Sequence, residues 1–579
     1  MEKNPEMNYK EISNCKSLLD VLSCPKGYVF DCGIGCTYSA DQPTFSKLKH
    51  VLGVTVNMQR LKDFEQGETF RLYVQQGESD IVHNAVKAVA PSEGVLHAKV
   101  YAMKYIAVDT REPLYRVVVT SGNLTNSNEL NICAKFDSEK PLPGVVKATF
   151  GADVSTFFKT HFPSSQNSSR IESLLKEIYC TRFGTDAEFL DVQSAGLLQK
   201  AGRMIQDAGS AKAITIFSPF LSDGFFERLK KAQNLPKQPE CTLISRPDQM
   251  DACSAALGQF TCCTLGSPEK LDDDSMDLCS VLHAKIYLFY HESENEKYTV
   301  TYVGSANATE SAFQKNIEVL VRFEDAGNKC VSPSEDGLYC EYEPKDPKDP
   351  DEALARFHAA CHKLVASFHA DEKQYSVKYP YYIIRLPKEE KGQWVHLNVA
   401  LDNDCKPKCQ NGHLVWERTN QYPHSVKLKI WDAQGHEEEF LLLVDGVNQN
   451  GEPVALPVQE TALRWTVQQT IIKKLFGSKQ ITSGGEGRTQ SNSDPKETGK
   501  RKKGLVERLS GLDDEKEIRE VYGRSAALLS SLSGSDPIKP ILEAFNKACR
   551  DQIFSDTSCP PEHEKNASQD EQKGEDGNE

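Results

Sequence analysis

The chain has 579 residues, of which 39% are apolar and 26% charged, with a net charge of −15. At about 100–200 residues per domain this length predicts three or four buried cores, and the composition excludes collagen-like, coiled-coil and wholly disordered classes. No stretch reaches the roughly 18 uninterrupted apolar residues of a membrane span. The polar start MEKNPEMNYK lacks the apolar core of a secretory signal, so a cytoplasmic protein with no membrane association is expected.

The acidity is unevenly distributed. Residues 551–579 carry nine Asp or Glu against Lys565 and Lys573, almost half of the net charge, so a local basic cleft elsewhere is compatible with the total. The 18 cysteines are read as reduced and mostly buried, because disulfide frameworks belong to short exported chains. Cys405, Cys409 and His413, with His424 as a fourth candidate, have a loose spacing. They are read as reduced loop cysteines rather than a zinc site, so no metal and no cofactor is expected.

In chain order, the first part reads strand (GYVFDCG), helix (TFSKLKHVLG), strand (TFRLYVQ) and short helix (NAVKAV). The second reads strand (AITIFSPF), helix (GFFERLKKA), strand (CTLISRP) and helix (DACSAALG). Alternating strand and helix predicts an α/β sandwich in each part, at 1–182 and 183–375, with a helix at 355–368 closing the second. Short apolar strands separated by turns, then the helix ALRWTVQQTIIKKLF, predict a small β-rich domain plus helix at 376–477. Beyond it come a flexible linker at 478–503, a helical segment at 504–555 and a disordered acidic tail at 556–579.

An internal repeat underlies the two α/β lobes. VLHAKVY at 95–101 returns as VLHAKIY at 281–287, and each copy is followed by a β-branched run (RVVVT, TVTYV). Each run ends in a small-residue turn carrying an Asn (SGN at 121–123, GSAN at 304–307). A further strand follows in both copies, LNICAKF and IEVLVRF.

If each motif is a strand, Leu96, Ala98 and Val100 face a core, whereas His97, Lys99 and Tyr101 face the other way, with His and Lys about 7 Å apart. The second copy divides in the same way, with His283, Lys285 and Tyr287 opposite Leu282, Ala284 and Ile286. Asn123 and Asn307 come from the neighbouring turns. Glu318 lies out of phase with Ile317 and Val319, and Asn131 occupies the matching place in the first half. Two such sets facing each other across a pseudo-twofold axis suit phosphodiester chemistry. One imidazole attacks phosphorus, the other protonates the leaving oxygen, and the Lys and Asn side chains hold the non-bridging oxygens. Tyr101 and Tyr287 are read as substrate contacts or as packing. Arg246 is read as a capping or packing residue, with phosphate binding as the alternative.

Paired HxK…N motifs resemble those of the phospholipase D superfamily, over roughly residues 20–370. The resemblance implies two homologous phospholipase D-like α/β sandwich lobes with pseudo-twofold symmetry, followed by the small β domain and helical C-terminal segment. It also implies a covalent phosphohistidine mechanism, with His97 as nucleophile, His283 as acid and Glu318 orienting a catalytic His.

The superfamily's Asp five positions after the Lys is replaced here by Lys104 and Tyr290. That departure is shared by tyrosyl-DNA phosphodiesterases and metal-independent restriction endonucleases. The expected activity is therefore a metal-independent nuclease or DNA-end-processing phosphodiesterase, with DNA favoured over RNA. The alternatives are a phospholipase D-type lipid phosphodiesterase and a non-catalytic nucleic-acid-binding scaffold. No P-loop is present, so work on duplex DNA would call for a separate ATPase or helicase partner. The run Lys500-Arg501-Lys502-Lys503 is read as a solvated charge run, with a nucleic-acid backbone contact as the alternative.

Overall fold

The computed structural model describes residues 17–127, 129–139, 149–183, 186–199, 202–232, 239–265, 281–293, 296–331, 339–345, 352–371, 381–385, 397–402, 405–417, 424–444, 454–476, 515–531 and 539–555. The predicted linker at 478–503, with its Lys500–Lys503 run, and the predicted acidic tail lie outside the described residues. No helix among the described residues is long and apolar enough to cross a membrane.

A mixed α/β architecture follows from strands rich in β-branched and aromatic residues. The first sheet contains β1 (Tyr28–Thr37), β2 (Phe70–Gln75), β3 (Val86–Val89), β4 (Val100–Ala107), β5 (Pro113–Thr120) and β6 (Cys133–Asp137), in the order β3-β2-β1-β4-β5-β6. The first three strands are parallel, whereas β4, β5 and β6 join by antiparallel pairing. Parallel neighbours need a crossover, and the helix Gln42–Val51 lies in the one between β1 and β2. Asp41 caps that helix through a 2.6 Å bond from the Thr44 N–H.

The second sheet contains β7 (Glu188–Asp191), β8 (Ala213–Phe217), β9 (Glu240–Ile244), β10 (Phe260–Leu265), β11 (Ile286–Glu292), β12 (Lys297–Gly304), β13 (Val319–Ala326) and β14 (Tyr339–Glu341). Its order, β14-β10-β9-β8-β11-β12-β13-β7, reproduces that of the first sheet with one strand added at each edge.

One helical expectation gives way to a strand and another is only partly met. Of residues 84–89, Val86–Val89 form β3, because Val86 and Val89 pair in parallel with Leu72 and Gln75 and the ladder overrides local propensity. Of 251–258, only the end of the short helix Pro247–Ala252 and a 3-10 turn are helical, and β10 follows directly.

One core draws on both sheets. Leu96, Ala98, Val100 and Val119 cluster with Val303, Ile317, Val319 and Val321, and with Phe157, Leu174 and Ile178 of the helices Thr149–His161 and Ser169–Tyr179. Each such side chain, fully buried, contributes about 1.5–3 kcal/mol, so the seam between the sheets is an apolar core. A second cluster packs Ile214, Ile216, Leu243 and Phe289 against Phe225, Phe226 and Leu229 of the helix Asp223–Ala232.

Further on, β15 (Phe368–Asp371), β16 (Tyr381–Arg385), β18 (Lys408–Gln410) and β19 (His413–Glu417) form a four-stranded sheet. β17 (Asn398–Leu401), β20 (Ser425–Trp431) and β21 (Glu437–Leu443) form a three-stranded one. The helix Glu352–Ala366 buries Phe357, Cys361, Leu364 and Val365 in the core these strands share with Trp416 and Leu428. Its apolar face thus completes the β-rich part, where the sequence pattern had assigned it to the second α/β part.

Cys405 and Cys409 are exposed, and the Cys405 carbonyl accepts a 3.0 Å bond from the indole of Trp416. No group of three potential metal ligands occurs among the described residues. The described residues beyond Leu463 belong to a separate unit, which includes the paired helices Glu515–Ser531 and Lys539–Ser555, where Asn546 Nδ2 donates to Ser525 Oγ at 2.6 Å.

Candidate active site

The two HAK motifs lie on extended segments that lead into β4 and β11, one step short of the strands themselves. The Lys99 and Lys285 carbonyls still accept from the Thr120 and Gly304 amides of their own sheets, at 3.0 and 3.4 Å, whereas the residues before them pair across the seam. The His97 and Ala98 amides both donate to the Ile317 carbonyl, at 3.0 and 2.8 Å, and the Ile317 amide donates to the Val95 carbonyl at 2.9 Å. In the other motif the His283 amide donates to the Leu130 carbonyl at 3.0 Å, and the Leu130 amide to the Val281 carbonyl at 2.7 Å. Each motif is therefore stitched to the segment preceding the sixth strand of the opposite set. Gly94 permits one crossing: it has φ +66°, and a Cβ there would lie 2.3 Å from the Lys315 carbonyl oxygen.

The apolar halves of the motifs bury as the alternation predicts, with Leu96, Ala98 and Val100 in the shared core and Leu282 and Ala284 in a smaller cluster. Tyr101 and Tyr287 are fully buried, which favours the packing reading over substrate contact; Tyr287 donates to the Ala306 carbonyl at 2.9 Å.

Side chains follow the same exchange. His97 Nδ1 lies 2.9 Å from one carboxylate oxygen of Glu318 and 3.0 Å from the other. His283 Nδ1 lies 2.8 Å from Asn131 Oδ1. Both acceptors require Nδ1 to carry the proton, so in the neutral rings Nε2 is left with a free lone pair. Ser305 Oγ donates to Glu318, and Ser121 Oγ to Asn131 Oδ1 at 3.1 Å. Both serines stand two positions before the motif Asn, a repeated offset that could have marked them from sequence. Gln75 Oε1 accepts from the Leu96 amide at 2.7 Å, while Arg246 Nη2 donates to the Leu282 carbonyl at 3.1 Å; each fixes the residue before a motif His.

Lys99 and Lys285 are fully buried, and each ammonium donates to the carbonyl of its own motif His, at 2.6 and 2.7 Å. Neither forms an ion pair with a carboxylate among the described residues. Burial pushes Lys99 down to about 7, opposed by Glu318, Cys36 and Glu129. Lys285 is driven well below its ordinary range by burial and by Lys99.

His97 is pushed down to about 4 by burial, against the pull of Glu318. His283 is lowered further by burial and by Lys285, Lys99 and His97. Glu318 is held below the usual carboxylate range: burial raises it, but His97, Lys99 and the Ser305 hydroxyl outweigh that. Charges from both motifs thus act on one another across the seam, and the site is an excess of suppressed positive charge that an anion would relieve.

Asn123 and Asn307 lie on the turns after β5 and β12, and each has a buried side-chain oxygen with no hydrogen-bond partner. Tyr38, which the sequence did not single out, packs edge-on to His97 at 5.4 Å and lies under the Lys99 ammonium at 5.7 Å. Glu129, also missed, places a carboxylate oxygen 3.7 Å from His283 Nδ1. Lys104, where the superfamily motif has Asp, pairs with Glu177 at 2.8 Å and Asp31 at 3.4 Å.

No family model and no curated protein matches the chain. Among the solved structures that do match is the crystal structure of polyphosphate kinase from Porphyromonas gingivalis. Its identity is 11% and its TM-score 0.32, with 60% of this chain and 51% of that chain covered. The chain thus spans about half the length of that protein.

Proposed function

We propose that the chain is a metal-independent phosphodiesterase of the phospholipase D type acting on nucleic acid, with DNA as the favoured substrate. In this reading the two α/β parts, the second without the helix Glu352–Ala366 and β15, are homologous lobes related by a pseudo-twofold axis, sharing one site at their seam. The observation that carries it is the reciprocal orientation of the two imidazoles, His97 by Glu318 and His283 by Asn131, beside two buried lysines that form no ion pair among the described residues.

His97 is the nucleophile, because the carboxylate of Glu318 raises the electron density on Nε2 and stabilises the positive ring that forms on attack. As the Nε2–phosphorus bond forms, the bond to the leaving oxygen breaks. His283, protonated in the anion complex and held by a neutral amide, gives its Nε2 proton to that oxygen. In the second half-reaction His283 takes a proton from water, whose oxygen displaces Nε2 from phosphorus. Lys99, Lys285, Asn123 and Asn307 donate to the non-bridging oxygens, where charge accumulates. In a dry pocket these donors act more strongly than in water.

Labelled single- and double-stranded DNA and RNA, incubated with the full chain in excess chelator, test the proposal. Cleavage that is lost in both His97→Ala and His283→Ala supports it. Cleavage that demands Mg²⁺, or that survives either substitution, overturns it.

A further inference from the structure

We infer that Phe220 and Arg246 form a nucleotide subsite on the His283 side of the seam, one that stacks a nucleobase and holds the phosphate next to it. The inference deepens the proposed function by naming single-stranded nucleic acid as the ligand and one flank of the scissile phosphate as the place where it is gripped.

Phe220 is the residue out of place. It follows β8 and is 39% exposed, although its neighbours Phe217 and Leu221 are buried. Its position is nevertheless fixed. The Ser218 hydroxyl donates to the Phe220 carbonyl at 2.8 Å and accepts from the Ala308 amide at 2.8 Å, and Leu221 bridges to Ala308. Ala308 immediately follows Asn307, so the ring is anchored to the turn that supplies a phosphate donor. An aromatic ring with this much of its surface exposed beside that turn offers a flat apolar surface.

Arg246 lies against that surface with its guanidinium carbon 5.0 Å from the ring centroid. One nitrogen, Nη2, is occupied by the Leu282 carbonyl, whereas Nε is buried and has no hydrogen-bond partner among the described residues. Its charge acts on both His283 and Lys285. An arginine sharing the face of an aromatic ring, with an unpaired donor beside a phosphodiester centre, fits a sugar–phosphate backbone with one base on the ring.

The first half lacks this pair. Its structural counterparts are Ser39, after β1 and before the Ala40 bridge to Leu124, and Gln75, which holds Leu96. The pseudo-symmetric site is therefore polarised. The base-gripping flank belongs to the half that carries the proposed acid, which places the stacked nucleotide on the leaving-group side.

Equilibrium binding of a fluorescein-labelled single-stranded oligonucleotide to full-length His97→Ala protein tests the subsite independently of turnover. Adding Phe220→Ala is expected to weaken binding about tenfold, and Phe220→Trp to preserve it. The Phe220→Ala effect should vanish with an oligonucleotide abasic at the leaving-group nucleotide. Arg246→Gln should reduce the salt dependence of binding by about one phosphate contact.

A Phe220→Ala effect of equal size on intact and abasic strands, or no effect on either, overturns the subsite. Base-dependent binding through Phe220 without cleavage by the native chain keeps the subsite and overturns the proposed catalysis. Cleavage with binding indifferent to Phe220 does the reverse.

Discussion

His97 and Glu318 lie 221 positions apart in the chain and 2.9 Å apart in space, each contributed by a different sheet. Asn131 and His283 repeat the arrangement in the opposite sense over 152 positions. Neither half holds its own imidazole; each supplies the group that orients the other's. A half-site would leave a buried His without its acceptor, so each half depends on the other to orient its imidazole.

The first prediction separates the two histidines. With a natural alcohol leaving group, His97→Ala and His283→Ala should each lower kcat by about a thousandfold. With a p-nitrophenyl ester, whose leaving group needs no proton, His283→Ala should recover most of the first half-reaction. Labelled phosphorus should then remain on the protein through alkaline denaturation. His97→Ala should show neither recovery nor label, and label retained by that variant would reverse the assignment.

The orienting pair should differ in the pH profile. Glu318→Gln removes the carboxylate behind His97, the proposed nucleophile, and is expected to lower kcat by about 10–100-fold with KM little changed. Asn131→Asp places a carboxylate behind His283 and should stabilise its protonated ring, moving the acid-dependent limb of kcat/KM to higher pH. An unshifted limb, measured between pH 5 and 9, would exclude His283 as the acid. Glu129, 3.7 Å from the same nitrogen, should contribute a smaller shift of the same sign, seen as a downward movement in Glu129→Gln.

Anion binding should carry the signature of Lys99. In the empty site its ammonium is pushed down to about 7, and a bound anion restores the proton. Sulfate, whose charge is constant from pH 6 to 9, should therefore bind more weakly as pH rises through about 7, losing up to tenfold per unit for each proton taken up. Calorimetry in buffers of different ionisation enthalpy should register that uptake; pH-independent affinity would show that Lys99 is already charged.

Stability should move in the opposite direction from function. A lysine depressed in the fold contributes most above its ordinary value, and that contribution is lost as pH falls from about 10.5 towards 7. At pH 7 its burial is a cost, so Lys99→Met should raise stability by on the order of 1–3 kcal/mol while abolishing anion binding. The gain should shrink as pH approaches 10, and a loss of stability at pH 7 would mean that the ammonium is paired in solution.

Much of this site was legible before the fold. The repeat of VLHAKVY as VLHAKIY marked His97, Lys99, His283 and Lys285, and period-two alternation sorted Leu96, Ala98 and Val100 from them. Glu318 stood out as an acidic residue between Ile317 and Val319. Local pattern failed where ladders override propensity, as at β3, and where a helix serves a distant core, as Glu352–Ala366 does with Trp416 and Leu428. Tyr38, Gln75 and Glu129 carried no signal, because a residue at a strand end or in a turn has no periodicity to betray its neighbour across the seam.

The sequence by itself determined the duplicated set: two imidazoles and two ammonium groups at the same spacing, and two carboxamides 26 and 24 positions after the His, beside corresponding strands. Those are properties of spacing, and spacing along a chain sets which side chains share a face. Only the tertiary structure decided that Glu318 serves His97 and that Asn131 serves His283. Hydrogen bonds act over about 3 Å, and which groups come within that distance depends on how the two sheets close over their shared apolar core.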